Sequence, residues 1–155
     1  MIIIAHRGNR FGSNLGLENN PNYIKETIDA GFHVEIDVWY NKQANTVYLG
    51  HDDPKYKVSI DFLKHNKMWC HAKNKDALEY MIENEVHCFW HESDKYTITS
   101  KGYFWCYPNN YIKNGVTVDL NHSVSNINTD DIMGICTDIA DDWKKHYGTI
   151  TERNL

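Results

Sequence analysis

Long apolar runs are missing from this sequence. A membrane-spanning helix needs roughly 20 consecutive apolar residues, and no stretch of the 155 residues comes close to that length. The N-terminal run MIIIAH is also far shorter than the apolar region of a secretory signal peptide. We therefore expect neither a membrane span nor a secretory leader, and the expected location is the cytoplasm.

Closely spaced cysteines are missing as well. The chain has four cysteines, and no two of them have the C-x-x-C spacing that is typical of zinc knuckles. Each lies within an apolar, strand-like run, where a cysteine commonly behaves as a small buried hydrophobic residue. The sequence therefore predicts buried, reduced thiols, as in cytosolic proteins. These residues are Cys70, Cys88, Cys106 and Cys136.

Positive charge is scarce relative to negative charge. The chain has 16 Lys and Arg residues against 21 Asp and Glu residues, which gives a formal net charge of −5. Binding to a nucleic-acid backbone requires a basic surface, so this balance argues against a general nucleic-acid binder. It does not exclude a small phosphorylated substrate, because such a substrate needs only a local cluster of Arg, Lys or metal.

The residues that are present indicate one packed domain. Hydrophobic residues make up 41% of the chain and charged residues 24%, which is enough apolar material for a core. A chain of 155 residues is typical of a single domain, and it contains no internal repeat or low-complexity segment. We therefore expect residues 1–155 to form one domain.

Strand-like and helix-like patterns alternate over the first 92 residues. Asn20 and Pro21 are typical of a helix start, and Gly31 of a helix end. Such alternation is typical of a parallel sheet with right-handed crossovers. The predicted strands are 1–5, 33–39, 46–49, 67–72 and 86–90, and the predicted helices are 21–30, 60–65 and 75–84.

The pattern changes after residue 92. Segments 97–99, 103–107 and 116–120 look like strands, and no convincing helix separates them. A last apolar strand over 132–137 leads into a helix around 139–146. The second half therefore predicts strands joined by loops.

The segment GFHVEIDVWY carries two carboxylates within an apolar strand. Because strand side chains alternate, Val34, Ile36 and Val38 share one face, and Glu35 and Asp37 share the other. If both faces were buried, each carboxylate would cost several kcal/mol unless it were paired or bound to a metal. If the face with Glu35 and Asp37 were exposed to solvent, the alternation of apolar and acidic residues would need no special explanation.

Ionisable residues follow nearly every predicted strand. Parallel sheets of α/β proteins gather functional side chains at the carboxyl ends of their strands. Taken singly, each residue is more typical of a loop or a surface, and Asp138 could simply cap the following helix. These separate interpretations do not predict that the residues converge. The strand-end residues are His6, Arg7, Glu35, Asp37, His51, Asp52, His71, Lys73, His91, Glu92 and Asp138.

Such a group suits the cleavage of a phosphodiester. Glu35 and Asp37 offer the hard oxygen ligands that a divalent cation prefers. Arg7 and Lys73 could bind a phosphate. His6 and His51 could exchange protons, because imidazole titrates near neutrality.

Several short motifs resemble those of the glycerophosphodiester phosphodiesterases, within the phospholipase-C-like phosphodiesterase superfamily. Their shared order over the first 75 residues carries the resemblance, and residues 93–130 match the family poorly. The matching motifs are His6-Arg7-Gly8, Glu18-Asn19, Glu35-x-Asp37-Val38, Gly50-His51-Asp52 and Gly134-Ile135-Cys136-Thr137-Asp138.

The resemblance implies a TIM barrel and a set of roles. Because a complete (β/α)8 barrel takes about 250 residues, we expect an α/β, truncated TIM-type (β/α) barrel that lacks several outer helices in its C-terminal half. The implied acid–base pair is His6 and His51, and the implied phosphate contacts are Arg7 and Lys73. Implied metal ligands are Glu35, Asp37 and His71, for Mg²⁺ or Ca²⁺. Further candidates for the rim of the site are Glu18, Asp52, Trp105 and Asp138.

One departure from the family leaves alternatives open. His71 stands where the family usually has a glutamate, which puts the metal's identity and its retention in question. The expected function is metal-assisted hydrolysis of a small, glycerophosphodiester-like phosphodiester. The alternatives are a degenerate barrel that binds a phosphorylated ligand without cleaving it, and a lyase that forms a cyclic phosphate.

A bare outer face could be covered by a second copy of the chain, in a homodimer. The aromatic residues predicted to lie on that face are Tyr103, Trp105 and Tyr107. Among the remaining histidines, His87 is predicted to lie in the core. His33, His65, His122 and His146 are predicted to be loop or surface residues.

Overall fold

The computed structural model describes residues 1–120 and 128–147. These residues contain ten strands and four short helices. The strands are β1 (Ile2–His6), β2 (His33–Asn41), β3 (Thr46–Leu49), β4 (Tyr56–Val58), β5 (Met68–Ala72), β6 (Cys88–Trp90), β7 (Tyr96–Ile98), β8 (Phe104–Cys106), β9 (Val116–Val118) and β10 (Gly134–Thr137). The helices are α1 (Pro21–Asp29), α2 (Ile60–Leu63), α3 (Lys75–Glu83) and α4 (Ala140–Tyr147).

Side-chain caps set where the first three helices begin. Asn20, Ser59 and Asn74 precede α1, α2 and α3, and each accepts a hydrogen bond from a backbone N–H of the first turn. These bonds satisfy donors that a helix start leaves free. The amide of Asn74 also bonds both backbone groups of Tyr40, which ties the start of α3 to the end of β2.

Strand β2 is the centre of the sheet. It pairs in parallel with β1 through residues 33–35 and with β5 through residues 34–38. Its last part, residues 38–41, pairs antiparallel with β3, which in turn pairs with β4. The other strands follow in the order β1, β10, β9, β8 and β7, and β6 lies beyond β5.

The sheet is curled so strongly that its two ends meet. Phe89 lies on β6, at one end of the sheet, and Trp105 lies on β8, next to β7 at another end, yet their ring centroids are 4.5 Å apart. Hydrogen bonds between Ser100 and Cys88 join the two ends without a strand ladder. We call the concave side of this curl the inner face.

The expected truncated TIM-type barrel is wrong. The chain forms a curled mixed sheet, a half-barrel, and residues 91–115 contain no helix. Parallel strands need a crossover of a dozen or more residues, whereas antiparallel strands can be joined by a short turn. Five residues connect β7 to β8, with Gly102 at φ +82°, so β8 returns antiparallel to β7. The connection is too short for an outer helix.

The core has an outer and an inner part. The outer part buries Val34, Ile36 and Val38 of β2 beneath α1 and α3, which confirms the predicted apolar face of that strand. Trp143 of α4 is buried in a separate cluster with Ile3 and other residues. The inner part is a cluster of buried side chains: Ile2, Ile4, Trp69, Phe89, Trp105, Val116, Val118 and Cys136.

Several residue-level predictions can be compared with the structure. The four cysteines are buried and unpaired, as predicted. His87 is buried, as predicted, whereas the prediction for His33 is wrong, because it is buried and accepts a hydrogen bond from Trp69. His65 and His146 are exposed, as predicted, and His122 lies outside the described residues.

The aromatic residues expected on a bare outer face lie elsewhere. Tyr103 and Trp105 both pack against Trp69, and Trp105 is buried on the inner face. Tyr107 lines a pocket described below. They therefore do not form the outer surface on which the homodimer was predicted, and dimerisation stays an untested prediction. Within residues 1–120 and 128–147, every helix is too short or too polar to cross a bilayer.

Candidate functional site

A pocket of about 280 Å³ opens on the inner face, at the carboxyl ends of several strands. It has an ionic half and an apolar half. The ionic half comes from β1, β2, β5 and the loops that follow β1, β3 and β5: His6, Arg7, Glu35, Asp37, His51, His71 and Lys73. The remaining lining residues are Phe89, His91, Glu92, Trp105, Tyr107, Pro108, Val118 and Leu120.

His6 is the last residue of β1 and points into the pocket. Its Nδ1 lies 2.8 Å from Asp138 Oδ1, and its Nε2 lies 3.9 Å from Glu35 Oε2. Burial opposes a charge on this ring, but the hydrogen bond to Asp138 and the charge of Glu35 outweigh it and raise the pKa of His6. Because Nδ1–H donates to Asp138, Nε2 is the nitrogen that faces the pocket.

Arg7 follows in a left-handed turn, at φ 53°. Its Nε lies 3.0 Å from Asp37 Oδ2, and its Nη1 donates to Glu18 Oε2 at 2.9 Å. The Ser13 hydroxyl and the Asn9 amide also donate to Glu18. Burial opposes the charge of Glu18, yet these hydrogen bonds and that of Arg7 lower its pKa. Glu18 therefore holds Arg7 in place from behind and does not line the pocket.

Glu35 and Asp37 project inward from β2, and their side chains are 3% and 1% exposed. Asn19 donates to Asp37 Oδ2 and accepts from the Asp37 backbone N–H. Lys73 Nζ lies 3.6 Å from Asp37 Oδ1. One oxygen of each carboxylate, Glu35 Oε2 and Asp37 Oδ1, is buried with no hydrogen-bond partner.

The two carboxyl groups differ in how readily they lose a proton. Burial and the neighbouring charge of Asp37 raise the pKa of Glu35. Burial acts in the same direction on Asp37, but the adjacent His71 ring and the charges of Arg7 and Lys73 outweigh it and hold the pKa of Asp37 well below its usual range. Asp37 is therefore the more acidic member of the pair.

His71 stands beside the two carboxylates on β5, in register with Asp37. Its Nε2 lies 2.7 Å from the backbone oxygen of His91 and donates to it, which directs Nδ1 toward the carboxylates. Nδ1 lies 3.4 Å from Asp37 Oδ1 and 3.7 Å from Glu35 Oε1.

These three residues fit a divalent cation. Ligand atoms of Glu35, Asp37 and His71 all lie within 4.8 Å of one another. Two ligand atoms that each lie about 2.1–2.4 Å from one ion are at most about 4.8 Å apart. The spacing of the three residues therefore allows them to bind the same ion. The backbone bond on His71 Nε2 is the kind of outer contact that orients a ligating histidine. The unpartnered carboxylate oxygens are the groups that an ion would satisfy.

His51 reaches the same pocket from the loop between β3 and β4. The loop is held beside β2, because Gly50 N–H donates to Asp37 O and Trp39 Nε1 donates to Gly50 O. His51 Nδ1 lies 2.7 Å from Asp52 Oδ1, and its side chain is 42% exposed. Asp52 is itself on the surface, with a side chain that is 92% exposed.

Seven of the predicted site residues thus make up the ionic half of the pocket, and Trp105 lines the apolar half. Asp138 and Glu18 lie behind the wall, bonded to His6 and Arg7. Asn19 belongs to the Glu18-Asn19 motif, whereas the supporting amide of Asn9 has no signal in the sequence beyond its position next to His6-Arg7-Gly8. The rings of Phe89 and Tyr107 do have one, because strand alternation puts them on the same face as His91 and Trp105.

Comparison with known proteins adds no relative to this description. No family model matches the chain, and neither a curated protein nor a solved structure is significantly similar to it.

Proposed function

We propose that the pocket hydrolyses a small phosphodiester with the help of a divalent cation held by Glu35, Asp37 and His71. The single observation that carries this proposal is the convergence of two buried, unpartnered carboxylate oxygens and the Nδ1 of His71 in a pocket that His6 and His51 also line. The motif resemblance to glycerophosphodiester phosphodiesterases agrees with it.

The charges around the site support a bound cation. Four carboxylates, of Glu18, Glu35, Asp37 and Asp138, surround two permanent cations, Arg7 and Lys73. Burying unbalanced negative charge is unfavourable, and the raised pKa of Glu35 reflects this. A divalent cation would restore the balance and, when bound, would stabilise negative charge on the phosphoryl oxygens.

Both histidines have the partner that proton transfer requires. His6 Nδ1 bonds Asp138 and His51 Nδ1 bonds Asp52, so each ring has its Nε2 available. One imidazole takes a proton from water as the water oxygen attacks phosphorus. The other gives a proton to the alcohol oxygen as its bond to phosphorus breaks. The products are a phosphomonoester and a free alcohol.

Lys73 is the better candidate for contacting the substrate phosphate. Arg7 is engaged by both Glu18 and Asp37, so its main effect is to fix the position of Asp37. Lys73 has one ion pair, at 3.6 Å, and its ammonium group can turn toward a bound anion.

The test is turnover of a phosphodiester panel by the wild-type protein and two variants. Bis(p-nitrophenyl) phosphate and glycerophosphoethanolamine are incubated with Mg²⁺, Mn²⁺ or Ca²⁺, and ³¹P NMR identifies the product. We expect a phosphomonoester, and a rate that His6→Asn or His51→Asn lowers by about 10²-fold or more. His146→Asn is the matched control, because His146 is exposed on α4 and does not line the pocket.

Three results would contradict this function. Wild-type rates in both variants would place the chemistry elsewhere. A cyclic phosphate product would indicate a lyase. Binding of the diesters without any turnover would indicate a phosphate-binding protein.

A further inference from the structure

The apolar half of the pocket favours some substrate groups over others. Phe89, Val118, Leu120 and Pro108 have no side-chain group that forms hydrogen bonds, and Phe89 and Val118 are buried. The hydroxyl groups of a polyol such as glycerol or inositol would lose water against this wall and gain few partners in return. An apolar group would be favoured there, because moving its surface from water onto an apolar wall is favourable and breaks no hydrogen bonds.

The apolar wall begins directly beside the candidate metal ligands. The rings of His71 and Phe89 are stacked, with centroids 5.1 Å apart and planes within 9°. Trp105 continues the wall at 4.5 Å from Phe89. His91 and Tyr107 form its other side, with ring centroids 5.3 Å apart. If a phosphate binds at the candidate metal site, the substituent esterified to it would therefore contact this wall.

The size of the pocket limits what that substituent can be. An apolar cavity of about 150 Å³ is large enough to hold benzene. The whole pocket is about 280 Å³, so it has room for a phosphate and one group of that size.

The polar groups of this half are the His91 ring, the Glu92 carboxylate, the Tyr107 hydroxyl and the Trp105 indole N–H. The ring of His91 packs against that of Tyr107, with centroids 5.3 Å apart, and its nitrogens have no hydrogen-bond partner among the described residues. Glu92 is exposed at the mouth. A cationic substituent would have Glu92 and the aromatic faces as partners, whereas an apolar substituent needs only the aromatic faces.

We propose that one substituent of the phosphodiester is a small apolar group, of aryl or short alkyl type, that binds against Phe89, Trp105 and Tyr107. This inference rests on the proposed function, since it assumes that the ionic half binds the phosphate. It commits the pocket to a substrate that a glycerol or choline ester does not represent.

The test measures the affinity of phosphomonoesters, which stand for the product with one substituent in place. Isothermal titration calorimetry in saturating Mg²⁺ compares inorganic phosphate, phenyl phosphate, n-butyl phosphate, glycerol 3-phosphate and choline phosphate. We expect phenyl phosphate or butyl phosphate to bind about tenfold tighter than glycerol 3-phosphate and choline phosphate. The ratio of phenyl to butyl affinity then tells an aryl group from an alkyl group.

A variant connects the preference to this wall. Tyr107 is 43% exposed, so Tyr107→Ala should fold normally and weaken the preferred ester several-fold while leaving inorganic phosphate unchanged. Tyr111→Ala, at a tyrosine that is 48% exposed outside the pocket, is the matched control. Equal or tighter binding of glycerol 3-phosphate or choline phosphate would overturn this inference and leave the proposed function intact. If inorganic phosphate and all four esters fail to bind, the proposed function itself fails.

Discussion

Replacing Glu35 by glutamine separates the metal site from the fold. Glutamine keeps the size of the side chain and removes its negative charge. Burial and the charge of Asp37 raise the pKa of Glu35, so the charged form is unfavourable in the folded chain without a cation. We therefore expect Glu35→Gln to be at least as stable as the wild type in EDTA. The same change removes one of the two anionic ligands of the proposed cation site.

The size of the effect follows from ligand linkage. An ion that binds only the folded chain, at 100 times its dissociation constant, stabilises that chain by about 2.7 kcal/mol. For a domain near this size, each kcal/mol raises the melting temperature by about 2–4 °C. The wild type should thus gain roughly 5–11 °C at such an ion concentration, and Glu35→Gln should gain almost nothing.

The assay is thermal unfolding followed by circular dichroism, in EDTA and then with Mg²⁺, Mn²⁺ or Ca²⁺. Glu26→Gln is the matched control, because Glu26 is exposed on α1 and distant from the pocket lining. It should shift as the wild type does. The reasoning fails if Glu35→Gln keeps the full ion-dependent shift, since the ion would then bind elsewhere. It also fails if no divalent cation stabilises the wild type.

Two further substitutions test the loop of His51 and the buried core. Gly50→Ala would put a Cβ 2.0 Å from the backbone oxygen of Asp53. Activity should therefore fall, and unfolding in urea should show that the free energy of unfolding decreases by about 1–3 kcal/mol. Gly12→Ala is the control, because Gly12 also has a positive φ but has open space around it, and equal losses in both variants would refute the steric argument. The pKa of His87 is lowered to about 4, mainly by burial. Above pH 6.5 the ring is neutral in both the folded and the unfolded chain. As the pH falls toward 4, the unfolded chain takes up the proton first, so the free energy of unfolding decreases by about 3 kcal/mol. His87→Gln should flatten that part of the stability curve, His65→Gln should not, and identical curves would contradict the assignment.

The positions of most strands along the chain and the inward carboxylate pair could be predicted from the sequence, because both depend on local patterns; strand β4 was not predicted. The alternation in β2 puts Val34 and Ile36 on one face and Glu35 and Asp37 on the other, and the structure confirms it. The same rule would have placed His33 inside, since it lies two residues before Glu35. The prediction of a loop or surface position for His33 did not follow this alternation, and it was wrong.

The fold class could not be predicted because it depends on which strands pair. Local pattern shows that 97–99 and 103–107 are extended, but it does not show that β7 turns back on β8. That pairing brings Trp105 to the inner face, where it meets Phe89 from the far end of the sheet. The apolar half of the pocket therefore arises from long-range contacts, whereas most of the ionic half is coded in short motifs.

The most direct test of the central claim is anomalous diffraction from crystals grown with Mn²⁺ and phenyl phosphate. We expect one manganese peak bonded to Glu35, Asp37 and His71, with a phosphate oxygen beside it and Lys73 in contact with the phosphate. A manganese ion bound elsewhere, or a phosphate outside this pocket, would contradict the account.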